Sequence, residues 1–324
     1  MNYLSEIINI KGTPGKPLSA QGAPLMPDGK KTVHILALGD VGSTLMIGLK
    51  LLGGEHIATI GIYDVNPDVL TRYEQEMNQT NYPFDYEKFP VVRIVKEENL
   101  FDCDVFVFCA SKAVPTINSE VDDVRMAQYE VNKSIVEHYS QMAGERGFNG
   151  LFAVISDPID PLCKAALLSS SLKPYQIQGF GLGVMNSRAA YHAKRDEKYK
   201  IYLTEGRSFG PHGEDLVIAD SIEHYDDTSS KELTKLTVES NLRTREIGFK
   251  PYIAPALSSG AISILLTIGG EWHYSSNYLE NNGKGAFLGA KNRIQNNRTE
   301  IENLLLPEML FNRIRKAYLN LINL

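Results

Sequence analysis

The first half of the chain alternates short apolar runs with longer stretches in which apolar residues recur at helical spacing. Each run is too short for a typical helix and resembles a strand that is buried on both faces of a parallel sheet. Strands that alternate with helices in this way predict an α/β fold, built on a doubly wound parallel sheet. The predicted strands are 32–38, 57–63, 91–95, 104–109 and 151–155.

The pattern changes after about residue 160, where the second half of the chain predicts a mixed α+β lobe. Residues 1–31, rich in proline and glycine, are expected to form an extension outside the core. The chain therefore divides into segments 1–31, 32–175 and 176–324. The elements expected in the last segment are a strand at 176–180, a helix from about 184, hairpin strands around 200–219, helices near 230–248 and 256–269, strands at 271–279 and 285–289, and a helix near 307–322.

Composition argues against several classes of protein. Of the 324 residues, 43% are hydrophobic and 22% are charged, which is typical of a globular protein with a full core. The net charge of −6 offers no basic surface for nucleic acid. We expect no membrane span, since apolar runs stay below the ~20 residues required, and no signal peptide. The three cysteines lack metal-ligand spacing, which favours reduced thiols in a cytoplasmic protein.

A turn between the first strand and the first helix carries a candidate nucleotide-binding motif. Residues 37–42 read Ala-Leu-Gly-Asp-Val-Gly, a Gly-x-Gly-x-x-Gly pattern with alanine in its first position. Such a turn lets a pyrophosphate approach the backbone at a helix N-terminus. Asp64 lies 22 residues beyond the last glycine. A carboxylate there favours NAD over NADP, because it accepts hydrogen bonds from the ribose hydroxyls and repels a 2′-phosphate. The predicted cofactor-binding residues are Gly39, Asp40, Val41, Gly42, Asp64 and Ala110.

Two features of the same turn argue against a bound cofactor. Ala37 crowds the turn at a position where the motif has glycine. Asp40 places a negative charge beside the expected pyrophosphate. The alternative interpretation is a nucleotide-binding fold that has lost its ligand.

A second chemical motif is the segment Gly210-Pro211-His212-Gly213. An imidazole between small residues is well placed for acid–base chemistry, because histidine can give or take a proton near neutral pH. Alone, His212 is weak evidence, since the chain has seven histidines. It gains weight if a cofactor site and a substrate clamp accompany it.

The order and spacing of these motifs resemble the NAD-dependent lactate/malate dehydrogenase family over roughly residues 32–324. In that family a mobile loop and an arginine follow the ribose acid. Asn-Pro at a strand end, Asp and Arg three apart on a helix, and Gly-x-His-Gly come next. Arg188 precedes His212 by 24 residues and follows Asp157 by 31, as the resemblance requires. The positions that match are Arg125, 157–160, 179–188, His212 and Ser258.

The resemblance implies hydride transfer at a carbon that bears a hydroxyl or a carbonyl. His212 would exchange a proton with the carbonyl oxygen, and Arg125 would polarise that carbonyl. Arg188 would clamp a substrate carboxylate through two parallel hydrogen bonds. Ser258 falls at the substrate-side Ser/Thr position of the family. The implied partners are NAD and a small carboxylate-bearing substrate, and family members are commonly dimers or tetramers.

Three departures from the family pattern alter the expected site. Met185 stands where the family has the aspartate that orients the histidine, and Asp157 replaces an asparagine near the substrate. We hypothesise that Asp157 pairs with His212 and substitutes for the missing acid. The alternative is that both positions drifted after catalysis was lost. The loop 111–124 is longer than usual and has no arginine, which disfavours a dicarboxylate substrate.

Two functions therefore stay open at the level of sequence. The first is an NAD-dependent oxidoreductase that interconverts a small 2-hydroxy acid and its 2-oxo acid. His212, Arg125 and Asp157 are its predicted catalytic residues, with Arg188 as the clamp. The second is a catalytically impaired or inactive relative that binds a nucleotide or a partner through the same fold. The retained histidine and arginines favour the first function, whereas Met185, Asp40 and the altered loop favour the second.

Overall fold

A parallel sheet with helices between its strands occupies the first half of the chain, as predicted. The computed structural model describes residues 1–19, 22–112 and 124–324, without the side chains of 124–128. The elements of this half are β1 (Asn2–Tyr3), β2 (Leu18–Ser19), β3 (Lys31–Leu36), α1 (Asp40–Leu52), β4 (Ile57–Tyr63), α2 (Pro67–Asn78), β5 (Val91–Ile94), β6 (Val105–Phe108), α3 (Val124–Glu145), β7 (Leu151–Val154), α4 (Ile159–Ser169) and β8 (Ile177–Gly179).

The second half is a mixed α+β lobe, which confirms the prediction. Its elements are α5 (Leu182–Ala193), α6 (Tyr202–Glu205), β9 (Arg207–Phe209), β10 (Val217–Ala219), α7 (Asp227–Glu239), α8 (Leu242–Glu246), a π-helix (Pro255–Ile262), α9 (Ser263–Ile268), β11 (His273–Asn281), β12 (Lys284–Gln295), β13 (Arg298–Ile301), β14 (Leu305–Leu306) and α10 (Glu308–Asn323).

The hairpin strands expected around 200–219 begin later than predicted. Residues 202–205 form the short helix α6, and the hairpin consists of β9 and β10. The Tyr202 side chain is buried, and its hydroxyl hydrogen-bonds to Asn186 and Ser208. The periodicity of a run of four residues cannot distinguish a strand from a helix. The tertiary contacts of Tyr202 therefore determine the conformation of this run.

One mixed sheet of ten strands runs through both halves of the described chain. Its order is β2-β13-β12-β11-β8-β7-β6-β3-β4-β5. The strands from β5 to β8 are parallel and follow the order of a dinucleotide-binding fold, with the reversal of strand order between β3 and β6. The antiparallel strands β11, β12, β13 and β2 extend the sheet beyond β8. Ligands bind at the carboxyl ends of the strands beside such a reversal.

Alternate side chains of the central strand β6 enter two different core layers. Val105 and Val107 pack with the layer under α1, whereas Phe106 and Phe108 pack with the layer under α3 and α4. This period of two is the signature of a strand covered on both faces. Cys109 and Ala110 directly follow the carboxyl end of β6, which pairs with β3 where the strand order reverses.

Residues 1–31 were expected to lie outside the core, but this expectation is wrong for the residues around Leu4 and Ile7. Leu4 and Ile7 are 1% and 6% exposed and pack in the core under α10. Strand β1 pairs with β14, and β2 pairs with β13. The burial of these apolar residues depends on strands near residue 300. The composition of residues 1–31, rich in proline and glycine, therefore could not predict it.

The three cysteines are free thiols, as expected. Within the described ranges, no helix combines the length and apolar character that a membrane span requires.

Candidate active site

The glycine turn between β3 and α1 lies at the reversal of strand order. Ala37 adopts a φ of +72°, in the left-handed region where an L-residue is strained and glycine is usual. The crowding expected at Ala37 is therefore present as backbone strain. A Cβ at Gly42 would lie 2.0 Å from the Ala37 carbonyl oxygen, so the helix can approach the turn only with glycine there.

Gly39, in contrast, has open space at the position of an added Cβ. Within the described part of the chain no atom lies within 4 Å of that position, and the φ of −67° suits any residue. The internal packing of the protein therefore does not explain this glycine. It keeps the backbone N-terminus of the 13-residue helix α1 accessible, which is the geometry that a bound phosphate group needs.

Asp64 directly follows β4, beside this turn. Its Oδ2 accepts a hydrogen bond from the Leu38 backbone N–H at 2.7 Å, and its Oδ1 accepts one from the Asn66 N–H at 2.9 Å. A carboxylate has about four lone-pair sites, so two are left for ribose hydroxyls. Together with Gly39, this donor and acceptor set fits an NAD-type dinucleotide.

The remaining predicted cofactor residues have mixed roles. Val41 is half-buried and packs against the core under α1. Ala110 lies at the edge of the sheet, and its carbonyl oxygen accepts the Ser156 hydroxyl at 2.8 Å. Asp40 opens α1 and forms an ion pair with Lys250, with Oδ2 and Nζ 3.1 Å apart. Lys250 thus offsets the negative charge that the sequence analysis counted against a cofactor.

His212 lies in the turn between β9 and β10, and its side chain is 14% exposed. Gly210, at a φ of +92°, makes the preceding bend and hydrogen-bonds to the Gly289 carbonyl. A Cβ on Gly181 would lie 2.9 Å from His212 Cβ and 3.0 Å from Nδ1, so the imidazole packs directly on the backbone before α5. The histidine is held from several sides.

Asp157 follows β7 and faces the same imidazole. Its Oδ1 lies 3.3 Å from His212 Nδ1, within hydrogen-bond reach. Nδ1 makes no aligned hydrogen bond to any described group, so a small rotation of the ring would complete the bond to Asp157. The Asp157 carboxylate is 51% exposed. The two residues predicted to pair are therefore neighbours.

Met185, at the position where the resemblance leads one to expect an acid, has a packing role. It is 3% exposed and belongs to the apolar cluster beneath α5. Its sulfur receives an N–H of Arg188 at 3.8 Å, a weak interaction. Among the described carboxylates, Asp157 is the one that contacts the imidazole of His212.

Arg188 is half-buried on α5, one turn after Met185. Burial lowers its pKa, the nearby Arg245 lowers it further, and Asp157 opposes both effects. Within the described chain, no carboxylate lies within 4.0 Å of its guanidinium, whereas Arg207 and Arg293 have such partners. A partly desolvated cation of this kind attracts an anion, as a carboxylate clamp must.

Two predicted substrate residues are less well defined. Arg125 is the second residue of α3, but its side chain lies outside the described part of the structure, as does most of the loop 111–124. Ser258 is half-buried in the π-helix, and its carbonyl accepts the Ser263 hydroxyl. No described contact joins Ser258 to His212 or Arg188. The roles of Arg125 and Ser258 stay predictions.

Sequence reasoning missed the role of Asn132. This residue is fully buried, and its amide nitrogen donates to the Asp157 carbonyl at 2.8 Å. Its amide oxygen accepts the Lys112 N–H at 3.0 Å. Asn132 thus ties α3 to the carboxyl ends of β6 and β7. The available signal was its spacing of seven residues from Arg125, about two helical turns.

Asp160 supports His212 from the other side. Its Oδ2 accepts the His212 backbone N–H at 3.2 Å, while Oδ1 has no aligned partner among the described groups. Burial raises the pKa of Asp160 from its ordinary value of 3.8 to about 6, and hydrogen bonds from Ser276 and His212 only partly oppose this. Protonation of Asp160 therefore favours the folded protein.

An Asp160→Asn variant should change how stability depends on pH. The raised pKa stabilises the folded wild type below pH 4, and this gain is lost as the pH rises through 6. The full difference corresponds to at most about 3 kcal/mol. Relative to wild type, the variant should therefore gain stability between pH 4 and pH 8. Urea unfolding at pH 4 and pH 8 measures the free energy of unfolding of both proteins. If the difference between variant and wild type is the same at both pH values, the role assigned to Asp160 is contradicted.

The sequence is similar, at low identity, to those of known dehydrogenases. No family model matches the sequence. The chain is 23% identical over 192 residues to a malate dehydrogenase of Aliarcobacter butzleri, covering 58% of this chain and 57% of that protein. It is 23% identical over 243 residues to an L-lactate dehydrogenase of Staphylococcus haemolyticus, covering 72% and 73%. The chain thus matches little more than half the length of the first relative.

Solved structures show the same fold. A minor L-lactate dehydrogenase from Enterococcus mundtii superposes with a TM-score of 0.71 at 16% identity, covering 89% of this chain and 95% of that one. The malate dehydrogenase of Cryptosporidium parvum gives 0.70 at 18% identity, covering 91% and 98%.

These findings define a chain with the fold of solved lactate and malate dehydrogenases and with a histidine–carboxylate pair at the carboxyl end of β7. The chain is therefore similar to lactate and malate dehydrogenases, at low sequence identity to the relatives named and with the fold of the solved structures.

Proposed function

We propose that this protein is an NAD-dependent oxidoreductase that interconverts a small 2-hydroxy acid and its 2-oxo acid. One observation carries the proposal: His212 lies 3.3 Å from Asp157 at the edge of the sheet that also holds the glycine turn. Arg188, electrostatically coupled to Asp157, supports a carboxylate-bearing substrate. The names of the relatives support the same class of reaction.

In this proposal, Gly39, Gly42 and Asp64 would hold NAD, which would provide the hydride chemistry when bound. His212 carries the proton. Because Nδ1 faces Asp157, the other ring nitrogen, Nε2, is directed to the substrate oxygen, to which it gives a proton in reduction and from which it takes one in oxidation.

The surrounding residues orient and stabilise this histidine. Asp157 fixes the tautomer with hydrogen on Nδ1 and stabilises the protonated ring. Arg188 holds the substrate carboxylate, and Arg125 is proposed to polarise the carbonyl as charge develops on its oxygen. The preference for NAD over NADP rests on Asp64, whose charge repels a 2′-phosphate.

The nature of the substrate side chain belongs to the proposal. The absence of arginine from residues 111–124 supports a substrate other than a dicarboxylate. A dimeric or tetrameric assembly and a cytoplasmic location are proposed on the resemblance to the family.

A second candidate function is a nucleotide-binding protein with impaired catalysis. The strained φ of Ala37 and the thioether at position 185 favour it, because both weaken features on which the family's chemistry depends. It differs from the first proposal in one measurable respect: such a protein binds NADH without turnover.

A Gly39→Val variant combined with NADH titration tests the cofactor assignment. The added side chain points into open space, so the fold should tolerate it, but it would occupy the volume of the pyrophosphate. We expect wild type to bind NADH more tightly than NADPH, and the variant to lose on the order of tenfold or more in affinity. NADH fluorescence measures binding, and thermal unfolding of the variant provides the control for folding.

Turnover over a panel of 2-oxo acids then separates the two functions. Reduction of at least one member supports the oxidoreductase. Binding of NADH with no turnover across the panel favours the impaired relative. Wild type that neither binds NADH nor turns over any 2-oxo acid would overturn both.

A further inference from the structure

An exposed lysine reaches the cofactor turn from a distant part of the chain. Lys250, between α8 and the π-helix, lies 210 residues from Asp40, yet its Nζ is 3.1 Å from the Asp40 Oδ2. Asp40 is the first residue of α1 and directly follows Gly39. The ammonium group is therefore held by the first residue of α1, next to Gly39, where the described chain leaves space for an added Cβ.

The fold itself gives little reason for this ion pair. The two side chains are 81% and 49% exposed, and ion pairs in that environment contribute at most about 1 kcal/mol to stability. Neighbouring Phe249 is also exposed, so the segment around Lys250 is not anchored by burial. A role in ligand binding explains the contact better than a role in folding does.

Electrostatics at the turn point to the same role. A dinucleotide pyrophosphate brings negative charge to the N-terminus of α1, next to the carboxylate of Asp40. The like charges repel, and the interaction weakens binding unless a cation lies between them. Among the described residues, Lys250 is the cation that forms an ion pair with Asp40. A lysine ammonium is a compact charge well suited to phosphate oxygens.

We propose that Lys250 is a cofactor-binding residue, whose ammonium contacts the pyrophosphate of the bound dinucleotide and neutralises Asp40. This inference rests on the proposed function, since it requires that a dinucleotide binds at the turn. It assigns the otherwise unfavourable Asp40 a purpose, which is to hold Lys250 in place before the cofactor arrives.

The test is a set of four proteins: wild type, Lys250→Met, Asp40→Asn and the double variant. Methionine keeps the apolar stem of lysine and removes its charge. NADH affinity, measured by fluorescence titration at low and high salt, should fall on the order of tenfold in Lys250→Met. In the double variant it should return to within a few-fold of wild type, because the repulsive carboxylate is also gone. High salt should weaken the binding of NADH to wild type more than its binding to the double variant.

Lys200→Met serves as the matched control. Lys200 is similarly exposed and pairs with Glu197 in the second lobe, so its variant should bind NADH as wild type does. If Lys250→Met also binds NADH as wild type does, the inference is overturned while the proposed function stands. If wild type itself fails to bind NADH, the proposed function and the inference fall together.

Discussion

Replacing His212 with glutamine is expected to lower the turnover of 2-oxo acid reduction by roughly 10²- to 10⁴-fold, the usual contribution of a general acid. Glutamine preserves a polar side chain of similar reach but does not titrate. The backbone hydrogen bond from position 212 to Asp160 is unaffected, so the turn between β9 and β10 should keep its shape. NADH affinity should therefore stay close to that of wild type.

Steady-state kinetics and NADH titration on the same preparation check this prediction. His192→Gln is the matched control. His192 is also half-buried and hydrogen-bonded, to Ser240 on its Nε2, but it has no contact with Asp157 in the described structure. Its variant should retain nearly full activity. A His212→Gln enzyme as active as the His192→Gln enzyme would remove His212 from the chemistry.

Replacing Asp157 with asparagine should also reduce turnover strongly. In a comparable histidine–carboxylate pair, the same change costs about 10⁴-fold, because the imidazole loses its fixed tautomer and its counter-charge. Asparagine is the residue that the family resemblance places here, yet in this chain it would leave the imidazole with no carboxylate at 157 or at 185. Since the Asp157 side chain is 51% exposed, folding should be little affected.

Adding Met185→Asp to the Asp157→Asn variant tests whether the acid has moved. The double change restores the family arrangement of asparagine and aspartate at the two positions. It should recover part of the lost turnover, although a carboxylate in the apolar cluster beneath α5 will lower stability. Thermal unfolding separates the two effects. Turnover in Asp157→Asn equal to that of wild type would instead favour drift at both positions.

Much of the fold follows from local pattern. The buried parallel strands are visible because both faces of each are apolar, and the glycine turn is visible because Gly42 has no room for a side chain. Features set by distant contacts were not predictable in the same way. Leu4 enters the core through strands near residue 300, and the backbone of Ala37 takes a strained conformation that no residue type announces.

The site shows the same division between local and distant information. The pairing of Asp157 with His212 was inferable as a hypothesis, because one substitution removed an acid and another introduced one. Its distance was not inferable. The bond from Asn132 to the Asp157 carbonyl and the contact of Lys250 with Asp40 join residues 25 and 210 positions apart. Such contacts depend on the packing of whole elements rather than on local sequence.

The central claim is that Asp157 and His212 act as one unit, and a double-mutant cycle tests it most directly. Turnover is measured for wild type, Asp157→Asn, His212→Gln and the double variant. If the carboxylate works through the imidazole, Asp157→Asn should cost roughly 10²-fold or more in the wild-type background and almost nothing when His212 is already glutamine. An equal loss in both backgrounds would contradict the account, because Asp157 would then act independently of His212.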